Sequence, residues 1–254
     1  MQQGWESEAA NWARFTRTPG HDHAHLDINL PVLMGLLPPP GRRTLDVGCG
    51  EGRVSRLLHS RGHRVVGIDA APTMVRLAAS HEAGQPALVA DAGRLPFRDG
   101  AFDLAVAYMA LHDIDDMPRA VAEIGRVLER GGRLCLAIVH PINSAGAFQG
   151  SGADAPFVIS GSYLDPARLS YTVERDGIQL TFHSQHRPME AYSRALEAAG
   201  LLVEAIREPG AGDHLVARQP AQRRWARVPL FLHARAVKLA QRAQLWSCHP
   251  AQAG

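Results

Sequence analysis

The chain has 254 residues, 46% hydrophobic and 20% charged, with a net charge of +2. That length and balance suit one sizeable α/β core with a cap and are ordinary for a globular protein, and the net charge argues neither for nor against a charged partner. Three scattered cysteines, Cys49, Cys135 and Cys248, are too few for a disulfide framework. The opening residues lack a basic segment followed by an apolar one, and no apolar run approaches the ~18 residues of a membrane span. A reducing, cytoplasmic setting is therefore expected.

In chain order, Trp5, Ala9, Trp12 and Phe15 fall at helical spacing, and Pro19-Gly20 interrupts them. Leu26 to Leu37 is a second apolar stretch, ended by three prolines. Residues 1–40 therefore read as helices that either pack on the core or form a lid over a ligand. Between them lies His21-Asp22-His23-Ala24-His25. Its alternating spacing aligns three imidazoles only in an extended chain, so no metal site is expected there.

From Arg43 onward, strand and helix patterns alternate, which predicts a parallel, doubly wound sheet. Strands are expected at Thr44 to Val47, Val65 to Ile68, Leu88 to Ala90, Phe102 to Tyr108 and Leu134 to Val139. The first runs into Asp46-Val47-Gly48-Cys49-Gly50-Glu51-Gly52-Arg53. Glycines at such a turn permit a sharp bend and close approach of a ligand to the backbone. Two acids there would repel a diphosphate, and Arg53 stands where a dinucleotide fingerprint wants a small residue. A ligand with positive groups fits better, and S-adenosylmethionine carries a sulfonium and an α-amino group. Asp69 ends the second strand, 21 positions after Gly48, a spacing suited to a ribose diol. Asp91 follows the third strand, within reach of an adenine amine.

On Leu45 to Arg53, Val65 to Met74, Ala90 to Phe97, Phe102 to Asp116 and Ala120 to Pro141, the chain resembles class I S-adenosylmethionine-dependent methyltransferases. The resemblance is good over roughly residues 40 to 140 and looser elsewhere. It implies a Rossmann-like doubly wound sheet of seven strands, mostly parallel with the last antiparallel. It also implies S-adenosylmethionine as cofactor, held by Asp46, Gly48, Gly50, Asp69 and Asp91. Ala70 and Met74 would line the adenine side, Ala92 would offer a backbone N–H, and Tyr108 would sit near the methionine moiety through its backbone.

Residues 141–188 break the rhythm. They hold a hairpin signal, Asp176-Gly177, between β-like runs Tyr171 to Arg175 and Ile178 to Phe182. An insertion after the fifth strand lies at the ligand edge of an open sheet, so a substrate-recognition cap is expected there. The core resumes at 189–240, with a helix from Pro188 to Ala199, a sixth strand at Leu201 to Arg207 and a seventh within Val228 to Lys238; residues 241–254 are a tail.

Among thirteen histidines, His140 and His112 follow strands at the ligand edge and are the candidate proton acceptors. Tyr163, Tyr171 and His186 are candidates to bind the substrate. The expected function is methyl transfer to a small organic acceptor by a bacterial enzyme, acting as a monomer or homodimer, with no nucleic-acid or membrane partner. An RNA methyltransferase is the alternative within the class; a NAD-dependent oxidoreductase and a non-catalytic binder are more distant ones.

Overall fold

The structure, a computed structural model, describes residues 1–81 and 83–239. Cys248 and the tail 241–254 lie outside them. A seven-stranded sheet forms its centre. Strands β1 (Thr44–Val47), β2 (Val65–Asp69), β3 (Ala87–Val89), β4 (Phe102–Tyr108) and β5 (Leu128–Val139) run parallel. With β10 (Leu201–Arg207) and β11 (Phe231–Lys238) the order is β10-β11-β5-β4-β1-β2-β3, and β11 is antiparallel to both its neighbours. All four residues of β1 are buried, as befits a central strand covered on both faces.

The covering helices are amphipathic. Helix α5 (Met117–Val127) buries Val121, Ile124 and Val127 against the sheet. It starts where Asp116 accepts from the Arg119 N–H at 3.1 Å, with proline in the first turn. Helices α3 (Arg53–Ser60) and α4 (Pro72–Ala79) follow β1 and β2 and bury Val54, Leu58, Met74 and Ala78. Helix α7 (Met189–Ala198) precedes β10 and ends at Gly200, whose φ of +70° is the left-handed conformation of a helix stop.

Before the core, α1 (Gln2–Arg17) is followed by a π-helical turn, Ala24–Asn29, and α2 (Leu30–Leu36). After β5 come a short helix α6 (Pro141–Ala145), a small hairpin of β6 (Gly146–Phe148) and β7 (Phe157–Ile159), and a long hairpin of β8 (Ala167–Arg175) and β9 (Ile178–His186). The long hairpin turns through Asp176 and Gly177, both at positive φ, the geometry of its Asp-Gly signal. Its strands extend several residues beyond the expected runs. Hairpin β6–β7 is an addition to the expected pattern, as are α8 (Asp213–Arg218) and a 3₁₀ segment Pro220–Ala226 ahead of β11. No helix among the described residues is long and apolar enough to cross a membrane.

Candidate active site

The carboxyl ends of β1, β2 and β4 meet around the glycine turn. Gly48 and Gly50 have φ of +69° and +55°, and a Cβ on Gly48 would come within 2.6 Å of the Ala110 Cβ. No larger residue would fit that cradle without movement. Asp69 braces it: one carboxylate oxygen accepts from the Gly50 N–H at 2.9 Å, the other from the Ala71 N–H at 2.8 Å. Each oxygen keeps a lone pair for a ligand hydroxyl. Asp46 is fully buried and accepts from the Ser55 hydroxyl at 2.6 Å. Burial, with a smaller push from Asp69, raises its pKa to about 6. Asp91 accepts from the Gly93 N–H at 2.8 Å.

These groups line a cavity of about 1030 Å³, together with Ala70, Met74, Ala92 and Tyr108. All nine residues expected to hold the cofactor therefore border one space. Its roof is aromatic. Trp5 and Trp12 of α1 meet edge to face at 5.7 Å, and Phe182 of β9 sits edge-on to Trp12 at 5.9 Å and stacks on Tyr171 at 4.9 Å. The helical stripe read in the sequence thus joins the hairpin over the glycine turn, each ring pair contributing roughly 0.5–1.5 kcal/mol beyond burial. Polar ties hold α1 down. Glu6 accepts from the Thr73 N–H at 3.0 Å and its hydroxyl at 2.6 Å, capping α4, and Gln2 donates to the Ala70 carbonyl at 2.7 Å.

Residues 45–136 match the family described as methyltransferase domain. The crystal structure of an S-adenosylmethionine-dependent methyltransferase from Mesorhizobium loti superposes on this chain with a TM-score of 0.67 and 26% identity, covering 82% of this chain and 96% of that one. Residues 45–136 therefore carry a methyltransferase domain, on the fold of an S-adenosylmethionine-dependent methyltransferase. A malonyl-[acyl-carrier protein] O-methyltransferase of Serratia marcescens is 35% identical over 113 residues, 44% of this chain and 43% of that protein. A ubiquinone biosynthesis O-methyltransferase of Xanthomonas axonopodis pv. citri is 28% identical over 171 residues, 62% of this chain and 71% of that protein. The chain thus spans about two fifths of the length of the first of these curated relatives.

Charge in this methyltransferase cradle differs in one respect from the sequence expectation. Glu51 is buried and bound by Arg56 at 2.8 and 3.0 Å and by Arg17 at 3.2 Å, so its charge is already balanced. The negative potential open to a cationic ligand comes from Asp46, Asp69 and Asp91. Arg53 pairs with Asp22 at 2.6 Å and lies over the Trp12 ring at 5.2 Å, which draws the segment after α1 toward the cavity.

The histidines divide by their partners. His140 does not reach the cavity: its Nδ1 accepts from the Ile142 N–H at 3.0 Å, capping α6, and its Nε2 contacts Glu208 at 2.8 Å. His186 and Tyr163 also stay off it. His186 bonds the Ser144 hydroxyl at 2.7 Å and the Tyr163 carbonyl at 2.8 Å, and the Tyr163 hydroxyl accepts from the Met189 N–H at 3.0 Å. Those three tie the insertion to the core. His112 and half-exposed Tyr171 do border the cavity. Burial and nearby Arg187 push the His112 pKa down to about 3, and its Nδ1 is sealed without a partner among the described residues. With Nδ1 sealed and Nε2 turned to the Asp113 carboxylate at 3.4 Å, the ring offers no open nitrogen to an acceptor.

Sequence reasoning missed two residues that line the cavity and one that supports it from behind. Arg187, buried, donates to the Ile114 carbonyl at 2.6 Å and the Asp115 carbonyl at 3.0 Å and fixes the turn carrying His112. His25 and Asn29 line the cavity from the π-helical turn. The three imidazoles of residues 21–25 part company: His21 bonds Asp176 at 2.8 Å, His23 lies 3.7 Å from Asp27, and His25 bonds the Tyr108 hydroxyl at 2.6 Å. Tyr108 therefore presents its side chain, not only its backbone, to this region.

Proposed function

We propose that this chain transfers the methyl group of S-adenosylmethionine to a small organic acceptor. The observation that carries this is the single cavity of about 1030 Å³, floored by Asp46, the glycine turn, Asp69 and Asp91 and roofed by α1 and the β8–β9 hairpin. Its volume is at the upper end of the roughly 300–1,000 Å³ typical of small-ligand sites, enough for a cofactor and a modest acceptor together.

The donor set suits the cofactor. Asp46 faces the positive methionine end, Asp69 takes the ribose hydroxyls, and Asp91 accepts from the adenine amine while Ala70, Met74 and Ala92 border the ring. When bound, the cofactor supplies a methyl carbon already activated by its sulfonium. The protein's part is to align the acceptor and exclude water, and such positioning can contribute on the order of 7–11 kcal/mol. Trp5, Trp12, Phe15 and Phe182 keep the space apolar, which favours an acceptor with an apolar or aromatic body. The insertion, residues 141–188, is read as the acceptor-selecting cap and residues 1–40 as the lid.

The test is to incubate the protein with methyl-tritiated S-adenosylmethionine and a panel of phenols, carboxylic acids, amines and unfractionated RNA. Label in a small-molecule product, with S-adenosylhomocysteine formed in equal amount, is expected. Label confined to RNA would contradict the small-molecule reading.

A further inference from the structure

His25 is neither of the two histidines, His140 and His112, expected at the strand ends, yet it is the histidine best placed to touch an acceptor. It sits 8% exposed in a π-helical turn, Ala24–Asn29. Such turns are rare and cluster at functional sites. Its Nδ1 lies 2.6 Å from the Tyr108 hydroxyl, with the two rings edge to face at 5.4 Å. Its Nε2 has no hydrogen-bond partner among the described residues and is not among the sealed, unpartnered polar atoms, so it opens on the cavity.

The surroundings mark the same spot. Tyr108 ends β4, and Met109 after it holds a positive φ of 55° without being glycine, a strained conformation of the kind found at functional sites. Asn29, one turn beyond His25, also lines the cavity. Strand β4 pairs directly with β1, which brings Tyr108 beside the glycine turn.

Resting on the methyltransferase reading above, we infer that His25 is a catalytic residue: its Nε2 accepts the proton of an acceptor hydroxyl, with Tyr108 as the positioning residue that fixes its tautomer. The acceptor is therefore an uncharged O–H compound of the phenol or enol class. That role requires the tautomer in which Nδ1–H donates to the Tyr108 oxygen at 2.6 Å and Nε2 keeps its lone pair toward the cavity. Balance is simple. The acceptor oxygen forms the new C–O bond as the C–S bond breaks and its electron pair stays on sulfur; the O–H proton passes to His25 Nε2 and then to solvent. Burial and the Arg53 charge, opposed by Asp22, depress the His25 pKa to about 4, so the ring is a weak base. A weak base suffices here, because the attacking oxygen becomes strongly acidic as it gains the methyl group. The same ring could not strip a proton from an ammonium acceptor before attack, which is why O–H acceptors are favoured over amines.

The test is the ¹⁵N spectrum of the histidine side chains, with the His25 signals assigned by their loss in His25→Gln. Between about pH 6 and 8 the neutral ring is expected to carry its proton on Nδ1 and a bare Nε2. Tyr108→Phe is expected to shift the tautomer toward Nε2–H. Adding 4-nitrophenol to protein loaded with S-adenosylhomocysteine is expected to move the Nε2 signal, and 4-nitroanisole, which has no hydroxyl, to leave it in place. A protonated Nε2 in the wild type, a tautomer indifferent to Tyr108→Phe, or equal responses to the two probes would overturn the proposal. Failure to load S-adenosylhomocysteine would instead count against the methyltransferase reading, since the tautomer is also measurable on the free protein.

Discussion

Asp46 shows how one carboxylate ties stability to binding. Its folded-state pKa, about 6, lies above the ordinary carboxylate value because burial disfavours the charge. A raised pKa means that its contribution to stability is fully present below the unfolded value and is lost as pH rises through about 6. At pH 8 the burdened charge costs about 3 kcal/mol. Asp46→Asn should therefore raise the urea midpoint of the free protein at pH 8, and the gain should vanish in acid below the ordinary carboxylate range. An unchanged or lowered midpoint at pH 8 would show the carboxylate is not strained. Cofactor binding should carry the opposite dependence. A cationic ligand favours the ionised carboxylate, so affinity should fall as pH drops below about 6, with proton release measurable by calorimetry in buffers of different ionisation enthalpy. The residue scale is also where the sequence was least legible. Asp46, Asp69 and Asp91 could be read because each lies at or close to the carboxyl end of a strand whose pattern is plain in the sequence. The histidines could not, because what distinguishes them is the partner brought by the fold. His140 sits at the expected edge but caps α6 and meets Glu208, whereas His25 is far off in sequence and comes to the cavity only through Tyr108.

Among the elements, the β8–β9 hairpin is the one whose local chemistry decides its shape. Asp176 and Gly177 both hold positive φ, at 49° and 72°. Gly177→Val should cost about 1–2 kcal/mol of local stability, visible as faster amide exchange in β8 and β9 with the β1–β5 core unaffected. Because His21 bonds Asp176 and Arg175 donates to the His21 carbonyl at 2.9 Å, exchange should also quicken just after α1. If only the turn residues respond, the hairpin and the lid are not mechanically joined. Elements with strong periodicity were legible in advance: β4 and β10 span the expected residues. Hairpin β6–β7 and helix α8 were not. They are only three and six residues long, too short for either period to register, and they are held by contacts such as Phe148 against Trp225 at 4.8 Å.

At the scale of the whole molecule, the sheet holds the cofactor cradle while α1, ahead of it in sequence, and the hairpin inserted between β5 and β10 close over the top. The order β10-β11-β5-β4-β1-β2-β3 sets β1 and β4 side by side at the centre, so the glycine turn, Tyr108 and the turn carrying His112 share one edge. A ligand bound there and absent from the unfolded chain must stabilise the entire fold; at a hundredfold excess over its dissociation constant, S-adenosylhomocysteine should add about 2.7 kcal/mol and raise the melting midpoint accordingly. Should the midpoint stay put at saturating ligand, the cavity is not its site. The most direct test of the account is calorimetric titration of the wild-type protein and Asp69→Ala with S-adenosylmethionine and S-adenosylhomocysteine. Saturable one-to-one binding that is lost in Asp69→Ala, with the mutant still folded by circular dichroism, is the predicted result; equal binding by both proteins, or binding of NAD in place of either ligand, would contradict it.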